Sequence, residues 1–150
     1  MNLWIASLLV SLGVCLIIVL TQRWHGRFTH DPAVGVQKFH TTPVPRIGGL
    51  AIFLGFVAAA VLWGWSRSEH RSLLATLILV SLPAFLGGLL EDLTKRVSPA
   101  QRMSALLVAA ALAAWLLGAT IPRTDIPGVD WLASLPMGAV LLALFVAAGL

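Results

Sequence analysis

The sequence predicts an all-α, polytopic integral membrane protein, and three observations carry that prediction. Hydrophobic residues make up 59% of the chain and charged residues 11%, against roughly 45–50% and about 25% in ordinary globular proteins. The apolar residues gather into five charge-free runs of 18 to 20 residues each. A helix of about 20 residues at a rise of about 1.5 Å crosses a hydrocarbon core of about 30 Å. Helices buried in a soluble protein rarely reach that length so often without a charge.

The five expected spans are 3–20, 47–65, 72–90, 103–120 and 131–150, in a single membrane domain over 1–150. Only the initiator amine precedes the first run as a positive charge, and no small-x-small cleavage pattern follows it before Thr21-Gln22-Arg23. That run therefore reads as a membrane helix and not as a cleaved signal. Cys15, the sole cysteine, lies inside it; with no partner for a disulfide or a metal cluster, it reads as a small apolar packing residue.

Thr21–Arg46 is long for a connection between membrane helices, and it holds Pro32, Pro43, Pro45, three of the four histidines and four bases. Long loops are often functional. Pro43-Val44-Pro45 disfavours helix and should hold the chain extended before the second run. Gly48-Gly49 then opens that run and would allow a neighbouring helix or a ligand to approach the backbone closely. Segment 66–71 reads as a short polar turn, with His70 a solvated loop residue, and 121–130 as a proline-punctuated connector. Ala109–Ala114 is a small-residue stretch suited to tight helix packing.

The formal charge of +4 sorts by loop. Segments 21–46 and 91–102 hold seven of the ten bases: Arg23, Arg27, Lys38, Arg46, Lys95, Arg96 and Arg102. Segments 66–71 and 121–130 hold Arg67, Arg71 and Arg123. By the positive-inside rule the two more basic loops are cytoplasmic, with the N-terminus outside. Bases spread over membrane loops in this way point to no nucleic-acid partner.

Two constellations could carry chemistry. In Glu91-Asp92-Leu93-Thr94-Lys95-Arg96, Glu91–Lys95 and Asp92–Arg96 stand at i,i+4 with the acid first, a spacing that commonly decorates a helix end. The functional alternative is a divalent cation, because Mg²⁺ takes one or two carboxylates and completes its shell with water and phosphate. In the first basic loop, Lys38, His40 and Arg46 flank rigid prolines. They would either anchor the chain to anionic headgroups or donate charge-assisted hydrogen bonds to a diphosphate. A transporter would more often carry ionisable groups at mid-membrane, and all five runs lack them.

The stretch Lys38-x-His40-x-x-Pro43-x-Pro45-Arg46-x-Gly48-Gly49 resembles a signature of the polyprenyl-phosphate N-acetylhexosamine-1-phosphate transferases of bacterial membranes. "GGLLEDLTKRVSPAQR" is similar to their second signature, an acidic pair followed by a short loop with Ser-Pro and Arg. The resemblance implies a bundle of about ten helices, of which this chain would be the N-terminal half. It implies transfer of a sugar-1-phosphate from a UDP-N-acetylhexosamine to undecaprenyl or another polyprenyl phosphate, with release of UMP, at the cytoplasmic face of the bacterial inner membrane. The product would feed cell-wall or lipopolysaccharide synthesis.

The same resemblance assigns catalysis and Mg²⁺ (or Mn²⁺ in its place) to Asp92 and Glu91, and substrate binding to Lys38, His40, Arg46 and Lys95. It also makes a homodimer plausible. Departures are present: glutamate stands at position 91 where relatives mostly have aspartate, and Gln37-Lys38 stands where they have Arg-Lys. The last run ends at Leu150 with no polar flank. The sequence therefore reads as part of a longer bundle, and the 150-residue chain is expected to show no transferase activity by itself. The alternatives are a non-catalytic membrane protein that binds polyprenyl phosphate, and half of a dimeric transporter.

Overall fold

The computed structural model describes residues 3–31 and 44–149. Among the described residues seven α-helices follow in order: α1 (Leu3–Leu20), α2 (Gln22–Thr29), α3 (Gly48–Ser66), α4 (Arg71–Thr94), α5 (Pro99–Leu117), α6 (Val129–Ala133) and α7 (Pro136–Gly149). Two-residue strands, β1 (His30–Asp31) and β2 (Val44–Pro45), pair antiparallel with His30 opposite Pro45. A 3₁₀ turn, Ser68–His70, leads into α4. Helices α1, α3, α4 with its leading turn, and α5 are each long and apolar enough to cross a membrane. The protein is an all-α membrane protein.

The described parts of segment 21–46 hold α2 and both strands. The last apolar run differs from the single span that its composition predicts. Helix α6 stops at Ala133 and α7 begins at Pro136. Pro136 occupies the first position of α7, where its missing N–H is not needed, whereas Pro83 is accommodated inside α4. Helix α7 has 14 residues, a length of about 21 Å.

The chain forms two compact units, Met1–Arg71 with Gly88–Val97, and Ser72–Gly87 with Ser98–Leu150. In the first, α1 and α3 pack against each other. Ile18 joins Ile47 and Ala51 in one buried cluster, while Ser7 and Ser11 meet Gly55, so the two helices run antiparallel. The α3 face turned inward is made of Ala51, Gly55, Ala60 and Gly64. Small residues suit this seam because lipid tails are as apolar as the helices themselves, so association depends on close van der Waals contact. At one end the Ile18–Ile47–Ala51 cluster is flanked by Val14 and Leu89. That contact fixes the last turns of α4 beside the start of α3. At the other end Arg71 Nε donates to the Gly64 carbonyl at 3.2 Å, and the His70 ring meets Trp63 edge-on at 5.7 Å between centroids.

In the second unit, α5 begins with a complete capping box. Ser98 N–H donates to Gln101 Oε1 at 2.8 Å, Gln101 N–H donates to Ser98 Oγ at 3.2 Å, and Pro99 occupies the first helical position. Gly118 closes α5 in the left-handed conformation, φ 64°. The 121–130 connector is held by Asp130, whose Oδ1 accepts from Thr124 N at 2.6 Å, Thr124 Oγ1 at 2.8 Å and Asp125 N at 3.1 Å. These donors hold the Asp130 carboxyl below its ordinary value, the Thr124 backbone N–H contributing most.

Large apolar side chains lie exposed along the helices, among them Trp4, Leu8, Leu20, Trp65, Trp115 and Phe145. Soluble monomers rarely present so much contiguous apolar surface, whereas a bilayer covers it. The tryptophans at positions 4, 65 and 115 lie within two residues of a helix end, where indole rings settle at the membrane–water interface.

A candidate cation and phosphate site at the ends of α3 and α4

Helix α4 runs past its apolar stretch to Thr94, so Glu91 and Asp92 sit in its last turn and not in a loop. The helix stops because Lys95 adopts the left-handed conformation, φ 56°, with its N–H donating to the Glu91 carbonyl at 2.8 Å. Thr94 Oγ1 donates to the Leu90 carbonyl at 2.6 Å and accepts from Arg96 N–H at 3.4 Å. A residue with a Cβ pays about 1–2 kcal/mol for this backbone region, so the stop is imposed by its surroundings. Ser98-Pro99 opens the next helix only four residues after Thr94.

This stop changes the partner of Asp92. The i,i+4 spacing to Arg96 needs a continuous helix, and Arg96 lies beyond the break. Asp92 is instead met by Arg46, with Nε 3.7 Å from Oδ1. Arg46 directly precedes Ile47, which is buried against Ile18 and Ala51, and Leu89 packs on the same cluster one turn before Asp92. The hydrophobic cluster thus carries both residues to one place. Their side chains are 34% and 28% exposed. At 3.7 Å the contact is an ion pair and not a hydrogen bond, worth up to about 1 kcal/mol at such exposure.

Of the residues singled out by sequence, Arg46, Glu91, Asp92 and Lys95 come together in the first unit. Lys38 and His40 lie outside the described residues, as does Pro43. Val44–Pro45 is extended. A Cβ built on Gly48 or Gly49 meets nothing within 4 Å, so among the described residues no helix packs on either. Gly55, by contrast, stands at a close helix contact. Among the described residues no three His, Cys, Asp or Glu side chains form a group that could hold a metal ion. Mg²⁺ takes as few as one or two carboxylates and keeps much of its water; Glu91 and Asp92 are consecutive in α4 and so do not share one helix face.

The Arg46–Asp92 pairing was not legible from local spacing, which pointed to Arg96. The signal available was the Ser98-x-x-Gln101 box with Pro99 behind it, because a helix start at that point leaves Lys95 and Arg96 to make the turn. Compared with known proteins, the chain matches no family model, no curated protein and no solved structure.

Proposed function

We propose that the chain forms part of a transferase site in which a polyprenyl phosphate attacks a UDP-N-acetylhexosamine at the cytoplasmic face of a bacterial inner membrane. The observation that carries this reading is the approach of Arg46 to Asp92 at 3.7 Å. It joins the ends of the two segments that resemble the transferase signatures. In the reaction a lipid phosphate oxygen forms a bond to the sugar-linked phosphorus. The bond from that phosphorus to the bridging oxygen breaks, and UMP leaves.

Both partners are anions, so the site must offset charge where they meet. Arg46 would donate to phosphate oxygens, with Lys95 beside the acidic pair and Lys38 and His40 from the same basic segment. Asp92 and Glu91 would hold Mg²⁺, which when bound screens the phosphates and polarises the phosphorus under attack. The position of the acids at the end of an apolar helix supports this role, because a lipid phosphate and a soluble nucleotide can meet only at the membrane border.

Equilibrium binding to the chain in nanodiscs tests the proposal. Labelled UDP-N-acetylglucosamine should bind in Mg²⁺ and lose its affinity in Asp92→Asn. Binding of polyprenyl phosphate with no nucleotide binding at all would replace the transferase reading with that of a lipid-binding protein.

A further inference from the structure

Arg46 lies beside Asp92, where its positive charge would oppose a second cation. Its guanidinium lies 3.7 Å from Oδ1, and both side chains are about one-third exposed, so the pair can part without uncovering a buried charge. A divalent ion that binds Asp92 faces repulsion from the guanidinium as long as Arg46 stays in place. A phosphate beside Arg46 relieves that repulsion by giving the guanidinium another anion.

Resting on the reading of Asp92 as a cation ligand, we infer that Arg46 is a resident counter-cation that must leave Asp92 for the divalent ion to bind. Once released, it becomes the phosphate contact. Cation and phosphate therefore bind cooperatively, each raising the affinity of the other by the same factor. Neither alone fills the site well, which guards the carboxylates against metal ions in the absence of substrate. Arg46 is a phosphate-binding residue in this scheme, and its rigid fork suits both a carboxylate and a phosphate.

The test is Mn²⁺ binding by electron paramagnetic resonance to the chain in neutral-lipid nanodiscs, with and without inorganic phosphate, corrected against protein-free titrations. An exposed ion pair is worth about 1 kcal/mol at most, or roughly fivefold in a binding constant. Arg46→Gln should therefore bind Mn²⁺ about fivefold more tightly than wild type without phosphate, and phosphate should no longer help. Arg46→Lys, which keeps the charge, should keep the phosphate effect and guards against a fold defect in Arg46→Gln. Equal Mn²⁺ affinity in wild type and both variants, with loss in Asp92→Asn, would overturn the inference while leaving Asp92 as a ligand. Mn²⁺ binding unaffected by Asp92→Asn, or absent from every variant, would overturn the site reading itself.

Discussion

Gly55 sets the distance between α1 and α3, and replacing it by alanine should loosen the first unit. A Cβ at this position would lie 2.9 Å from the Ser7 carbonyl oxygen and 3.0 Å from Ser11 Cβ. Ordinary contact begins at 3.4 Å, so α1 must retreat by about 0.5 Å, the difference between 3.4 and 2.9 Å. The nearer obstacle is backbone and cannot rotate away. Overpacking of this kind costs about 1–3 kcal/mol, and the better helix propensity of alanine returns up to about 1 kcal/mol. With the full propensity gain the net loss is up to about 2 kcal/mol for alanine, and larger for Gly55→Leu. Gly13 is the internal control, because a Cβ there meets nothing within 4 Å and Gly13→Ala keeps only the propensity gain. Thermal unfolding in one detergent, followed by circular dichroism, should place Gly55→Ala below wild type and Gly13→Ala at or above it. Gly55→Ala as stable as Gly13→Ala would show that the seam is not tightly packed and that Ser7 and Ser11 do not face Gly55.

Two further outcomes follow from single side chains. Asp130 has a folded value below its ordinary 3.8, so its hold on the connector is complete above that value and is lost as pH falls through the folded one. Hydrogen exchange at the Thr124 and Asp125 amides should thus show steady protection above the ordinary carboxylate value and lose it as pH falls through the lower folded one, after correction for intrinsic rates; Asp130→Asn should remove the pH dependence. Ser98→Ala should cost about 1 kcal/mol and speed exchange of the Gln101 amide about fivefold, an effect absent in Ser104→Ala, whose hydroxyl donates to the Gln101 carbonyl and caps nothing.

The membrane architecture was legible because it rests on composition and length alone: four of the five apolar runs are helices long enough to span. The fifth was not, because a count of charge-free residues does not register what Pro136 does to the backbone. Similarly, three prolines in 21–46 hid α2, an eight-residue helix that precedes the first of them. At the site, the residue types were legible and the pairing was not. Spacing along one helix favoured Asp92 with Arg96, whereas the observed partner, Arg46, arrives through packing of Ile47 and Leu89 on the same cluster. Contacts between segments distant in sequence leave no local period to read. The seam glycine was missed for the same reason. Gly48-Gly49 stood out as a doublet, while the single Gly55 acquires its importance only from Ser7 and Ser11 on another helix.

Whether a phosphosugar reaches a lipid phosphate through this site can be measured with protein purified from its native membranes. Labelled UDP-N-acetylglucosamine or its epimer is incubated with undecaprenyl phosphate and Mg²⁺, and label is followed into the organic phase as UMP is released. Loss of one charged group from a transition-state site commonly costs about a hundredfold or more. The account predicts transfer by the completed native bundle and none by the 150-residue chain alone, with transfer by that bundle reduced about a hundredfold in Asp92→Asn and less severely in Arg46→Lys. Transfer undiminished in Asp92→Asn, or no label in lipid from either sugar nucleotide, would contradict it.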